Sequence, residues 1–459
     1  MTIFLAILMV AALIIIAASP LTSVNKSAVA MFAGTLGWVL YICFGTDFVM
    51  QQHAADYTSF LSGTVADSVT VKEYISQNIF IKYVGKAAEI VLFLIATMTI
   101  VEILDNNGCF DFLPQWVKTR HSKRLLWSMA VMTLLLSMNL DNLTTTLTMI
   151  LFMQKMLPNR KQRAVFGAVI VLSANIGGAL TVIGAPNGLL LWNMGAVTPS
   201  HFSAWMALPC LAAWAVPTYL ISRSLPERVD LERYSMPYRG DDTNLTVWQR
   251  IIMFFFAIGG LWFIPTFHNI TRLSPFVGAL CVLSLLWITN EAFNRNLSGS
   301  GQIVKRYAPK TQLYTMLQTM LFVMGIMLIM GILVESGAGL WVGEQCKNAL
   351  GDVWILAIAP LMAGLSSLVL DSFATATAFF SLYNIQGVDE LAQNGIYWIA
   401  IAYATAIGET ILGIGSLSGL ALFSSKTTTL KWYVCHFTPK VIVGALLGLA
   451  ILIAEALYF

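Results

Sequence analysis

The amino-acid sequence predicts an all-α polytopic membrane protein built as two inverted repeats, with about ten spanning helices and two re-entrant hairpins. Three observations predict it. Hydrophobic residues make up 58% of the 459 and charged residues only 11%, against about 25% charged in an ordinary soluble domain. Most of the 26 Lys and Arg residues concentrate in alternate loops. Three motif blocks recur in the same order, about 230 residues apart.

A spanning helix needs about 20 apolar residues. Runs of that kind cover 2–19, 28–45, 86–105, 164–192, 203–222, 249–267, 274–291, 313–334, 396–423 and 439–457. The stretch from Met1 to Ala18 has neither a basic flank nor a small-residue cleavage site, so a retained helix is expected rather than a signal peptide.

Two further apolar stretches behave differently. Stretch 125–156 is flanked by Lys118, Arg120, Lys123 and Arg124 on one side and by Lys155, Arg160, Lys161 and Arg163 on the other. The positive-inside rule places both flanks in the cytoplasm. About 30 residues are too few for two crossings, so the stretch is expected to be a hairpin entering from inside, with its tip near Asn139-Leu140-Asp141-Asn142. Around 353–384 the flanks carry Glu335, Glu344, Asp352, Asp389 and Glu390 against a single Lys347. That stretch is expected to be a hairpin entering from outside, with its tip near Leu370-Asp371-Ser372.

The organisation that follows is a first repeat at 1–222, a charged cytoplasmic linker at 223–248 with Pro226 and Pro237, and a second repeat at 249–459. Both termini are expected outside, and the polar loop 46–85 has room for short surface helices.

The repeat rests on three matches. Glu102 in MTIVEILDNNG pairs with Glu335 in MGILVESGAG. Asp141 in MNLDNLTTTLTMI pairs with Asp371 in LVLDSFATATAFF. The stretch NIGGALTVIGAPNG from Asn175 pairs with AIGETILGIGSLSG from Ala406. Five spans and a hairpin per half make an odd number of crossings, so the second half enters the membrane from the opposite face. Many secondary transporters use this plan, with ions and substrate bound near the midplane at interrupted helices.

Carboxylates inside apolar spans are costly, about 2.5–3.5 kcal/mol at the bilayer centre, and persist where they face a cavity and a partner. Asp141 and Asp371 stand at matching hairpin tips, followed by Asn142, Thr144 and Thr145 in one half and Ser372 and Thr375 in the other. Carboxylate, amide and hydroxyl oxygens are what a small hard cation needs. The plainer alternative is that these residues cap helices at the hairpin turns. The Gly-rich interruptions add Ser173, Asn175 and Thr181 in the first half and Glu409, Thr410 and Ser416 in the second. Broken spans free backbone dipoles for ions, whereas close helix packing alone would explain Gly177 and Gly178. Candidates for proton coupling are Asp141, Asp371, Glu409, Glu89 and Glu102, with Glu335 as the counterpart of Glu102.

The six cysteines are scattered singly, without metal-ligand or disulfide spacing. No nucleophile triad or phosphate loop occurs, so neither an enzyme nor a cofactor is expected. A net charge of +3 gives no reason to expect a nucleic-acid partner. The expected partners are membrane lipids and small cations.

The segments Glu89–Phe112, Leu140–Ile150, Ser173–Gly184 and Ile411–Phe423 resemble the NhaD-type sodium/proton antiporters of the ion transporter superfamily. The resemblance covers most of 86–192 and 313–425. It implies exchange of Na⁺ or Li⁺ for H⁺ across a bacterial cytoplasmic membrane by a homodimer, and functional roles for Glu89, Asp141, Asn142, Asn175, Asp371 and Ser416. Three positions depart from the family pattern: Ala185 replaces an Asp, Ser372 replaces an Asn, and Glu409 stands where a small residue is usual. A carboxylate lost at Ala185 and gained at Glu409 would be an exchange across the pseudo-twofold.

The expected mechanism has Asp141 and Asp371 binding cation and proton in competition, which requires carboxyls whose proton affinity burial has raised. Two other functions fit less well. A sodium-coupled dicarboxylate or oxyanion transporter of the same superfamily has something in common with TVIGAPNG, but both hairpin tips carry an Asp that repels anions. A non-transporting receptor or scaffold leaves the paired polar sites unexplained.

Overall fold

The computed structural model describes residues 2–22, 24–61, 67–110, 119–229, 245–298, 310–351, 353–386 and 390–458. Lys118, Asp352, Asp389 and residues 230–244 of the expected linker lie outside the described residues. The described chain is almost entirely helical, and nine of its helices are long and apolar enough to cross a membrane.

The first half runs α1 (Thr2–Ala17), α2 (Lys26–Cys43), α3 (Ile81–Asn106), a hairpin of α4 (Ser122–Ser137) and α5 (Asn142–Met156), then α6 (Arg160–Ala179), α7 (Pro186–Asn193) and α8 (Pro199–Ser222). The second half runs α9 (Val247–Thr271), α10 (Pro275–Ser298), α11 (Lys310–Glu335), a hairpin of α12 (Ala359–Ser366) and α13 (Ser372–Phe380), then α14 (Ile396–Leu412), α15 (Leu417–Ser424) and α16 (Thr438–Tyr458). The loop 46–85 carries short helices at Gly45–Gln52, Ala54–Leu61 and Ser68–Tyr74, and the last of these runs on into α3.

One expected span is shorter than its apolar run, and two carry the expected breaks. The run 2–19 yields a helix of 16 residues, because Ser19 and Pro20 turn the chain into a four-residue helix. The runs 164–192 and 396–423 are each two helices. The first breaks after Ala179 and resumes with Pro186 at its first turn, where proline has no amide to lose. The second breaks at Gly413, whose φ of +69° suits glycine, and resumes behind the side-chain cap of Ser416.

The two halves pack as counterparts. Helix α2 lies against α11 and α10 against α3, while α4 lies against α6 and α12 against α14. The details repeat too. The Ser137 hydroxyl donates to the Ala174 carbonyl at 2.6 Å, and that of Ser367 donates to the Thr405 carbonyl at 2.8 Å. A methyl group on Gly177 would meet the Leu134 carbonyl, and one on Gly408 the Gly364 carbonyl. Gly184 faces the Ser137 carbonyl as Gly415 faces that of Ser367. Each broken helix is thus seated on its hairpin through bare backbone, the small-residue packing expected where apolar surroundings give helices no hydrophobic drive to associate. The counterparts α8 and α16 pack on each other, as do α6 and α14.

The outward faces are apolar. On α9, Trp248, Ile252, Phe255, Trp262 and Phe263 are exposed, as are Ile3, Phe4, Ile7 and Val10 on α1. Apolar surface on this scale fits a lipid-facing wall rather than a water-facing one.

The seating of the broken helices makes a prediction. Gly408→Ala forces a methyl group into the Gly364 backbone and is expected to cost about 1–3 kcal/mol, the usual penalty of overpacking. Gly85→Ala has open space and is expected to gain up to about 1 kcal/mol through helix propensity. Thermal unfolding of the purified protein in detergent should separate the two in sign.

Candidate functional site

Asp141 is the N-cap of α5. Its Oδ2 accepts the amides of Leu143 at 3.1 Å and Thr144 at 3.2 Å, and the Thr144 hydroxyl at 3.4 Å. The capping alternative is therefore correct as geometry, yet it occupies only one oxygen. Asp141 also lines a narrow crevice with Phe93, Leu94 and Thr97 of α3, the turn Ile183-Gly184-Ala185-Pro186, and Leu189 of α7. Thr97 is a polar crevice residue that sequence reasoning missed, because a single Thr in an apolar helix carries no signal.

Asp371 caps α13 in the same way, with Oδ1 accepting the Phe373 amide at 3.1 Å. Its Oδ2 accepts a 2.7 Å hydrogen bond from Lys26 Nζ, an ion pair whose side chains are 20% (Lys26) and 10% (Asp371) exposed. The ammonium also stands 4.4 Å from the centre of the Phe322 ring, a cation–π contact. Sequence reasoning did not single out Lys26. The overlooked signal was its place at the first residue of α2, the end where the helix dipole disfavours a positive charge.

Glu409, on α14, is buried. Its carboxyl lies beside Ser372, within electrostatic reach of Asp371 and Lys26. Two carboxyls and one ammonium therefore share the second hairpin tip. At the offset that pairs Asn175 with Ala406, Glu409 pairs with Gly178 and Ser416 with Ala185. A carboxyl exchange between Ala185 and Glu409 is thus not position for position.

The broken helices meet through polar side chains. Asn175 Nδ2 donates to the Thr410 hydroxyl at 3.0 Å, joining α6 to α14. Asn187 Nδ2 reaches the Thr405 hydroxyl at 3.5 Å. In this structure Asn175 Oδ1, Asn187 Oδ1 and Thr145 Oγ1 are buried with no hydrogen-bond partner. Buried oxygens without a partner are exceptional, and amide and hydroxyl oxygens are of the kind that coordinate small cations. Asn187 closes the first Gly-rich interruption but was given no ion-binding role, and Thr405, which precedes the second interruption, was not among the expected residues.

Other candidates are tied up structurally. Thr181 donates to the Met138 carbonyl at 2.5 Å and accepts the Gly184 amide, holding the break to the first hairpin tip. Ser173 accepts the indole of Trp214 at 2.9 Å. Ser416 accepts the Gly419 amide at 2.8 Å, and Thr375 donates to the Asp371 carbonyl at 3.1 Å. Asn142 stands half-buried at the first residue of α5.

Glu89 and Glu102 are half-buried on α3. Glu89, Phe93 and Thr97 follow one another at four-residue spacing, so Glu89 shares the crevice-lining face, while Glu102 falls out of that register. Glu335 is away from both hairpin tips, buried at the end of α11. It accepts Tyr83 Oη at 2.8 Å and lies 2.6 Å from His53 Nε2, tying the loop helices to α3 and α11.

Interrupted helices, twin capped hairpins and buried polar side chains between apolar walls define a multi-pass membrane transporter. The chain belongs to the citrate transporter family, CitMHS, whose match covers residues 1–408. It is 29% identical to sodium/proton antiporter 1 of Arabidopsis thaliana over 378 residues, covering 81% of this chain and 62% of that protein. It is 24% identical to the Na(+)/H(+) antiporter NhaD of Vibrio parahaemolyticus, covering 78% of this chain and 87% of the relative. The YdaH transporter of Alcanivorax borkumensis shares the fold, with a TM-score of 0.54 at 16% identity over 85% of this chain and 89% of that one.

Capping and charge pairing separate in a stability experiment. Asn caps a helix about as well as Asp, and Ala loses about 1 kcal/mol. Asp141→Asn is therefore expected to melt like the native protein and Asp141→Ala to melt earlier. Asp371→Asn strands the Lys26 ammonium and is expected to melt earlier than Asp141→Asn does.

Proposed function

We propose that this protein is a secondary active antiporter that exchanges Na⁺ or Li⁺ for H⁺. One observation carries the proposal: each hairpin-tip aspartate spends one oxygen on its helix cap, and the other oxygen of Asp371 already holds a monovalent cation, the ammonium of Lys26. The relatives named as sodium/proton antiporters support the same reading.

At the first tip, Asp141 would bind the ion together with Asn142, Thr144 and Thr145, with Thr97 across the crevice. At the second, Asp371 and Glu409 would act with Ser372. Asn175 and Thr410 join the two broken helices, and with Ser416, the cap of α15, they supply neutral oxygens. A carboxylate that gains a proton loses the charge that holds the cation, so the two cargoes exclude one another. Glu89, one helical turn before Phe93, is the candidate path residue for the proton. The matched halves supply alternating access by exchanging conformations. In this proposal the protein is a homodimer in a bacterial cytoplasmic membrane, with the linker inside and both termini outside.

The family description favours one rival, transport of a carboxylate anion. Everted vesicles separate the two. Adding NaCl is expected to dequench a pH-sensitive dye, while sodium-free succinate or citrate is expected to leave it unchanged. Asp141→Asn and Asp371→Asn, at matched expression, are each expected to reduce the Na⁺ response at least tenfold. Full activity in both variants, or a response to the organic anions alone, would overturn the antiport reading in favour of anion transport.

A further inference from the structure

The ion pair at the second hairpin tip has no counterpart at the first. In the packing of the two halves the counterpart of α2 is α10, whose first residue, in the place of Lys26, is the uncharged Pro275. Among the described residues Asp141 makes no ion pair, whereas Asp371 meets the lysine at the start of α2. We propose that Lys26 is a tethered competitor of the transported cation: its ammonium occupies, on Asp371 Oδ2, the coordination position that a Na⁺ ion takes. The proposal rests on the antiport reading.

Four features support it. Asp371 Oδ1 is committed to the Phe373 amide, so Oδ2 is the oxygen open to either cation, and Lys26 holds it at 2.7 Å. Lys26 contributes nothing to the start of α2 that would explain its presence, because Asn25 already caps that helix through the Ser27 amide and a cation there opposes the dipole. In the same position the ammonium also lies against the Phe322 ring of α11, a cation–π contact that helps to hold it on Asp371. Finally, Lys26 and Phe322 belong to the packed pair α2 and α11, while Asp371 belongs to the hairpin. The pair is thus a bond between two elements, and it opens when the ion takes Oδ2.

Charge is conserved in this exchange. The acidic groups facing Lys26 are Asp371 and Glu409. Withdrawal of one ammonium and arrival of one Na⁺ leave the net charge at the tip unchanged, so the ion enters without uncovering a bare buried carboxylate. Li⁺ would enter in the same way.

Removing the competitor should tighten ion binding. The test is thermal stabilisation of the purified protein by NaCl, with choline chloride at equal ionic strength as control. Ligand-linked stabilisation rises with ion concentration over the dissociation constant. Lys26→Gln is expected to reach half-saturation at about tenfold lower Na⁺ than the native protein. Phe322→Leu, which keeps the lysine but loosens its hold, is expected to shift in the same direction by a smaller factor. Should Lys26→Gln fail to fold, Lys26→Met and Phe322→Leu carry the same comparison. Equal half-saturation in native protein and variants overturns the competitor role and leaves the antiport reading standing. Absence of any Na⁺ effect in both native protein and variants overturns the two together.

Discussion

A bilayer core holds no water to satisfy backbone groups, and this constraint organises the whole structure. A helix may be interrupted there only if other protein groups accept the exposed amides. The chain meets that demand at each hairpin with a carboxylate, Asp141 for α5 and Asp371 for α13, and at the second broken span with the Ser416 hydroxyl. The first broken span begins with Pro186, which removes one amide from the problem. The groups that keep the helix ends stable are thus also the groups that concentrate oxygen near the site. Asking whether Asp141 is a cap or an ion ligand sets up a false choice, since a carboxylate has two oxygens.

Backbone contact does the rest. The broken helices lie on the hairpins through Gly177, Gly184, Gly408 and Gly415, each facing a carbonyl. Such close seating fixes the carboxylates relative to Asn175, Thr410 and Glu409, with no need for long side chains whose entropy would have to be lost. It also leaves the hairpins attached more firmly to their own broken helices than to α2 and α11. The Lys26–Asp371 pair is notable in that light, because it crosses between these groups.

The two halves are alike in backbone and unlike in chemistry. Asp141 sits in a crevice with apolar walls and Thr97. Asp371 sits with a second carboxyl and an ammonium. Ala185, Ser372 and Glu409 belong to this asymmetry: the first crevice is lined by Ala185, while the second tip has the Glu409 carboxyl beside Ser372.

Much of this was legible in the sequence. Apolar run length, the placement of Lys and Arg and three recurring blocks determined the helical class, the hairpin tips and the residues worth watching, because each of these is a local or periodic property of the chain. The breaks between Ala179 and Pro186 and at Gly413 were legible for the same reason. Tertiary structure alone decided the partners. Lys26 and Asp371 are 345 residues apart, Asn175 and Thr410 are 235 apart, and neither distance leaves a trace in local pattern. The burial of Glu335 with His53 and Tyr83, away from both tips, likewise had no sequence signal. Composition prices a charge in the membrane, but only packing says which opposite charge or open cavity makes that price bearable.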